Sequence, residues 1–373
     1  MNQPVYMDHN ATSPIRPAAR DAMLTALDAG GNPSSVHSLG RKARRTVEDA
    51  REYVRALVGA PASARVIFTS GGTEANALAL MGCGRDKVFA ARTEHPSVLK
   101  ARTGFDYIPV DANGLVDPFQ LEEMFAGGGD DVVTSVMLAN NETGVLQHIE
   151  GIQTIAHRYD ALVHSDAVQA AGKVDVDFQG LGVDYLSLSA HKIGGPLGVG
   201  ALIAAKDAPL LALQPGGGQE GALRGGTENV PAIAGFGAAA VEAKADLSDM
   251  KRIKALRDDL EARIFARAPD ATVIAAQAAR LPNTSLLSMP GMSGETQVMA
   301  FDLAGICISA GSACASGAAK VSGALGAMGV PQEIAKSVVR VSLGSSTTQD
   351  DIESFISVWK DLYEREAAKR NAA

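Results

Sequence analysis

The chain is short of cysteine, of long apolar runs and of clustered positive charge, and each shortage excludes something. Three cysteines in 373 residues, with no CxxC pair, argue against a disulfide framework and a zinc site. No stretch offers a span's length of continuous strongly apolar residues. The nearest, VPAIAGFGAAAVEA, is short and mostly Ala and Gly, so no membrane association is expected. Lys and Arg total 34 against 42 Asp and Glu, a net charge of −8, and they are scattered, which speaks against nucleic-acid binding through a basic face. A GxxxxGK[ST] phosphate loop is absent. GGGQEG (216–221) fits GxGxxG formally, but no strand runs into it and no helix clearly opens from it, so a dinucleotide site is not expected. The first residues, MNQPVYMDHNATSP, have neither a basic start nor an apolar core, so no secretory signal is expected and a cytoplasmic location is.

What is present is enough apolar sequence, 46%, for a large core and more than one domain. From about residue 40 to 205, strand-like and helix-like segments alternate. GRKARRTVEDAREYVRALVGA places Val47, Ala50, Val54 and Leu57 at helical spacing, and ARVIFTS follows as a β-branched run. DKVFAARTEH, DDVVTSVMLANNE, ALVHSDAVQ and VDYLSLSAHK are further strand candidates. This alternation predicts a parallel sheet covered by helices, with GVGALIAAK as an antiparallel neighbour. After residue 245 the pattern changes to a long charged helix (Met250, Ile253, Leu256, Leu260, Ile264). The strands NTSLLSM, ICISA and VVRVSL come next, then a helix with Ile352, Phe355, Ile356, Trp359 and Leu362 on one face. A second, smaller α+β domain is expected there.

In open α/β sheets, ligands bind beyond the carboxyl ends of the strands. Here those ends read GGTE, TEH, NNE, SDAVQ and SAHK, a set that includes an amine, a carboxylate and two histidines. SGGTEANALAL is strand, glycines, then helix, and the N–H groups at such a helix start suit an anion. Lys192, at a strand end between small residues, is placed to form a Schiff base with a carbonyl cofactor if partly desolvated. Pyridoxal 5'-phosphate (PLP) would then need a phosphate cradle, which Gly72 and Thr73 supply. It would also need a carboxylate for its ring nitrogen, which Asp166 supplies, and a flat partner, which His95 supplies. Each has a plainer alternative: Asp166 as a helix cap, His95 as a surface histidine, Lys192 as a solvated lysine. The four together fit one cofactor.

At these residues the chain resembles the cysteine desulfurases, PLP enzymes of the aminotransferase class V group. YMDHNATSP, GNPSSVHSLG, FTSGGTEANALAL, TEHPSV, NNETG, HSDAVQ, SLSAHKIGGP, GGGQE, RGGTENV, SAGSACASG and VRVSLG occur in that family's order, over nearly the whole chain. The setting of Cys314 in SAGSACASG is similar to the first group, the nitrogen-fixation and iron–sulfur-cluster type. The resemblance implies the type I fold of PLP-dependent transferases. That fold has a large domain (16–245) holding a mainly parallel seven-stranded sheet between helices. A small α+β domain would join residues 1–15 to 246–373.

The resemblance also implies roles. Lys192 would carry the cofactor, Asp166 face its ring nitrogen and Gln169 its ring hydroxyl. Gly72, Thr73, Ser189 and His191 would hold the phosphate, joined by Thr227 from a partner subunit, which implies a homodimer. His95 would stack on the ring and move protons. Asn141 and Arg340, with Asn32 nearby, would bind the carboxylate of L-cysteine. Cys314 would take the sulfur as a persulfide and pass it to an acceptor protein, leaving L-alanine, with no metal involved. Cys307 reads as core and Cys83 as structural. Three positions depart from the family's usual residues: Gly221 and Ser345 where arginine is common, and Val321 where proline is. A selenocysteine lyase or an aminotransferase of the same fold is the alternative enzyme, and a non-catalytic scaffold the alternative outside enzymes.

Overall fold

The computed structural model describes residues 4–128, 131–311 and 322–372. A two-residue strand, β1 (Val5–Tyr6), opens the chain. The seven strands that follow are β2 (Arg65–Thr69), β3 (Lys87–Ala91), β4 (Phe105–Ile108), β5 (Val132–Ser135), β6 (Leu162–Asp166), β7 (Tyr185–Ser189) and β8 (Gly200–Ala204). They form one sheet in the order β2-β8-β7-β6-β5-β3-β4. All neighbours from β7 to β4 pair in parallel, and β8 runs antiparallel to both β7 and β2. The expected antiparallel GVGALIAAK strand is thus β8.

The interior strands are apolar on both faces because helices cover both faces: Val132, Val133, Val163, Leu186 and Leu188 are all buried. The helix Ser38–Leu57 buries Val47, Ala50, Val54 and Leu57, the stripe read from the sequence. It packs on the helix Val230–Ala245 at close range. A Cβ at Gly237 would stand 2.7 Å from the Ala50 Cα, so glycine there is what admits the second helix.

The second core is separate. It joins Ile253, Leu256, Leu260 and Ile264 of the helix Met250–Arg267 to Ile352, Phe355, Trp359 and Leu362 of the helix Gln349–Ala372. Its strands are β9 (Thr284–Ser288), β10 (Ile306–Cys307), β11 (Ser309–Ala310) and β12 (Val338–Ser342). β11, β12 and β9 form an antiparallel sheet, while β10 pairs in parallel with β1. The segment read as one strand, ICISA, is therefore two strands in two sheets. As a consequence Cys307, expected in the core, lies half-buried on a two-stranded ribbon, whereas Cys83 is buried. Met7 belongs to this second core. The chain thus starts beside its C-terminal half and crosses at residues 8–16 to the large sheet.

Candidate active site

The carboxyl ends of β3, β6 and β7 open onto a cavity of about 340 Å³, within the usual range for small-molecule sites. Lys192 stands in a single 3₁₀ turn, Ala190–Ile193, directly after β7, and the turn ends at Gly194 with φ 79°. Its Nζ donates to the Asn10 carbonyl at 2.6 Å and the Ala11 carbonyl at 2.8 Å. Both carbonyls belong to the segment that crosses between the two cores. Nothing in the sequence marks them, since a backbone acceptor leaves no mark in residue type.

Asp166, the last residue of β6, is 6% exposed. Its Oδ2 accepts from Asn76 Nδ2 at 2.7 Å and its Oδ1 from the Val168 amide at 2.9 Å. The same Asn76 amide donates to Ser97 Oγ at 2.8 Å, and Ser97 Oγ lies 2.7 Å from His95 Nδ1. The Ser97 amide donates to His95 Nδ1 at 3.1 Å. Because a backbone N–H can only donate, Nδ1 is an acceptor and the neutral ring carries its proton on Nε2. Burial pushes the His95 pKa down; Asp166 opposes that shift and Lys192 adds to it. Asn76 and Ser97, unremarked in the sequence, thus tie His95 to Asp166. Glu94 is also buried beside them, and its carboxyl is raised well above the usual range by burial and by Asp166. Its Oε1 accepts from the Met137 amide.

The helix start expected to hold an anion is built as follows. Gly71 (φ 156°) precedes the helix Gly72–Gly82, whose first turn has no side-chain cap of its own. A Cβ on Gly72 would stand 2.8 Å from Val168 Cγ2, so a glycine keeps this approach open. Thr73, Ser189 and His191 line the cavity beside it. The His191 pKa is lowered to about 4, first by burial and then by Lys192, so the ring is neutral at pH 7. Gln169 also lines the cavity, and its Nε2 donates to the Asn10 carbonyl at 2.9 Å.

The opposite wall comes from the second core. Arg340, in the middle of β12, is 3% exposed. Its Nη1 donates to the Asn141 carbonyl at 2.9 Å, and its Nη2 to Asp8 Oδ1 at 2.9 Å and Ser309 Oγ at 3.3 Å. Ser309 in turn donates to Asp8 Oδ2 at 2.7 Å. The buried Arg340 Nε has no hydrogen-bond partner among the described residues. Asp8, within YMDHNATSP, thus braces Arg340 and Ser309 across more than 300 residues, and nothing in its residue type marks it.

The thirteen expected residues are accounted for as follows. Gly72, Thr73, His95, Asn141, Asp166, Gln169, Ser189, His191, Lys192 and Arg340 meet in this one cavity. Cys314 lies outside the described residues. Asn32 does not line the cavity; it stands on an exposed turn where its Oδ1 accepts from the Ser34 amide at 2.9 Å. Thr227 is exposed and lines a separate cleft with Ser70, Arg224 and Glu228.

The cavity therefore offers an amine, a carboxylate at the end of a neighbouring strand, a neutral imidazole and a glycine-opened helix start. That donor set fits an aromatic aldehyde with a phosphate tail. Among the described residues no group of His, Cys, Asp and Glu could hold a metal ion, and no helix is long and apolar enough to cross a membrane.

Comparison with known proteins agrees. Residues 5–355 match the aminotransferase class-V family. A cysteine desulfurase of Cereibacter sphaeroides is 43% identical over 369 residues, covering 95% of this chain and 94% of that protein. A protein named cysteine desulfurase IscS from Dictyoglomus turgidum is 38% identical over 380 residues, covering 98% and 96%. The X-ray structure of a NifS-like protein from Rickettsia africae superposes with a TM-score of 0.90 at 37% identity, over 97% of this chain and 100% of that one. The chain belongs to the aminotransferase class-V family and, within it, to the cysteine desulfurases.

Proposed function

We propose that this cavity binds PLP and removes the sulfur of L-cysteine, releasing L-alanine. The observation that carries the reading is that Lys192 and Asp166 line one cavity with Arg340 on its opposite wall. PLP, when bound, supplies an electron sink for the bond changes at the substrate Cα. Lys192 would hold it, Asp166 keep its ring nitrogen protonated, and Gln169 meet its hydroxyl. Gly72, Thr73, Ser189 and His191 would hold its phosphate.

The chain's own residues do the rest. Arg340, with Asn141, receives the substrate carboxylate, for which its planar fork is suited. The Lys192 amine takes the Cα proton and later returns one. His95, with its proton on Nε2, would stack on the ring and serve as a proton donor. The Cys314 thiolate attacks the substrate sulfur: an S–S bond forms and the substrate C–S bond breaks. The electron pair of that bond stays with carbon, which takes a proton to give alanine. The persulfide sulfur then passes to an acceptor protein.

Thr227, set apart from this chain's own cavity, would reach the phosphate in a second copy, making the working unit a homodimer. On this reading residues 16–245 form the cofactor-binding domain and 1–15 with 246–373 the small domain, a division supported by the two main cores, with a smaller cluster packing Val145 against Ile274, Leu286 and Val338 across it.

The test uses two variants. Lys192→Ala should lose both the borohydride-reducible visible band and all alanine production. Cys314→Ser should keep the band but form no persulfide and no alanine. Full activity in Cys314→Ser, or alanine formation only when a keto acid is supplied, would overturn the reading.

A further inference from the structure

Lys173 is a buried titratable group to which the proposed reaction gives no task. It is 7% exposed, on the turn that leaves β6. Its Nζ donates to Gln169 Oε1 at 2.6 Å and to Asn10 Oδ1 at 2.9 Å. Both acceptors are neutral amide oxygens, a poor setting for an ammonium ion. Burial holds the amine well below the ordinary lysine range, and Lys192 and Arg340 push in the same direction. An uncharged amine still offers two N–H donors and does not repel the nearby Lys192.

What those two bonds hold is the Asn10 carbonyl. That oxygen accepts from Gln169 Nε2 at 2.9 Å and from Lys192 Nζ at 2.6 Å. Asn10 is also gripped from the second core: Asn283 Nδ2 donates to its Oδ1 at 3.2 Å, and its Nδ2 donates to Thr284 Oγ1 at 2.9 Å. Lys173 is the large-domain end of this grip. It also stands in a wall. Lys192 lines both the 340 Å³ cavity and a second one of about 240 Å³ behind it. Gln169 lines only the first and Lys173 only the second.

We propose that Lys173 is a positioning residue. Acting through Gln169 and Asn10, it fixes the Asn10 carbonyl as the resting point of the Lys192 amine whenever that amine is detached from the cofactor. The inference rests on the reading of Lys192 as the cofactor-bearing lysine. Every turnover detaches this amine and requires its return, so its resting place sets how often it lies within reach of the carbon it must attack. A small misplacement of a reacting group costs on the order of 100-fold in rate.

The test begins with protein stripped of PLP. On adding PLP, capture by Lys192 forms a C=N bond with loss of water and is read as growth of the borohydride-trappable band. Binding of pyridoxamine 5'-phosphate, which has no aldehyde, is measured in parallel. Lys173→Met fills the space without a donor. It should bind pyridoxamine phosphate nearly as wild type does, yet capture PLP roughly 10- to 100-fold more slowly. Lys173→Gln restores a neutral donor at shorter reach and should recover part of the rate; it also serves if the methionine variant does not fold. Asn10→Ala combined with Lys173→Met should be little worse than the more impaired single variant, as for residues acting in one chain of contacts. Capture at the wild-type rate in Lys173→Met overturns the proposal, as does an equal loss of pyridoxamine phosphate binding, which would mark a merely structural role. If the wild-type protein itself gives no trappable band, the assignment of Lys192 falls first, and with it this one.

Discussion

His164 and His9 are both buried histidines, one behind each wall of the cavity, and the walls differ as they do. His164, inside β6, has both ring nitrogens engaged: Nδ1 lies 2.9 Å from Ser135 Oγ and Nε2 3.0 Å from Ser187 Oγ, on the two flanking strands. His9, on the crossing segment, has a buried Nε2 with no partner among the described residues. One wall is delivered by the strand ends of the seven-stranded sheet, each fixed by its neighbours. The other wall is delivered by an extended segment and β12, strapped together by the Arg340–Asp8 ion pair, whose side chains are 4% and 17% exposed. Where a sheet sets position, the polar groups find neutral partners laterally. Where a strap does, one charge pair carries the geometry, and breaking such a buried pair costs about 3–5 kcal/mol.

The largest effect expected comes from the first wall. Asp166→Asn keeps the shape and the acceptor for the Val168 amide but cannot hold a proton on the cofactor ring. kcat should fall roughly 1000-fold, as for loss of a preorganised electrostatic partner, with the visible band from Lys192 retained. A fall of only a few-fold would show that the sheet wall supplies position and not charge.

The second wall answers differently. Arg340→Lys keeps a cation in β12 but cannot donate to Asn141, Asp8 and Ser309 together. KM for L-cysteine should rise about 10- to 100-fold, the worth of a charged hydrogen-bond pair, with a smaller change in kcat. Steady-state kinetics on the two variants side by side would give opposite signatures. If both change kcat alone, the division of labour between the walls is wrong.

That same division decides what the sequence could tell. The strand ends carry their chemistry in residue type, so GGTE, TEH, SDAVQ and SAHK were legible, and ten expected residues do meet in one cavity. What escaped notice acts through backbone or at second hand. The Asn10 and Ala11 carbonyls have no signature, Lys173 looks like any lysine until its burial is seen, and Asp8 matters only because it reaches a strand more than 300 residues away. Cys307 reads as core because an apolar ICISA does not reveal that the strand splits between two sheets. Asn32 and Thr227 were assigned by resemblance alone, and neither lines this chain's cavity.

The smallest effect separates the two histidines. Burial lowers the His9 pKa from 6.5 to about 4, and burial lowers that of His164 to about 3. Both rings are neutral in the fold at pH 7. Above pH 6.5 neither the folded nor the unfolded chain protonates them, and stability is complete. Below pH 6.5 the unfolded chain takes up a proton at each site and the folded chain does not, so stability falls with pH. At pH 5 each histidine should cost roughly 2 kcal/mol, since one pKa unit corresponds to about 1.4 kcal/mol. For His9 the slope ends near pH 4, where the folded ring itself protonates. His9→Gln removes that titration, and the buried Nε2 it replaces has no hydrogen bond among the described residues to lose. The variant should match wild type at pH 7 within about 1 kcal/mol and exceed it at pH 5, read by urea unfolding at both values. His164→Gln should show the same pH benefit but start lower at pH 7, because two serine hydroxyls inside the sheet lose their partners. Equal losses at pH 7 in the two variants would mean that the strapped wall depends on lateral hydrogen bonding as much as the sheet does.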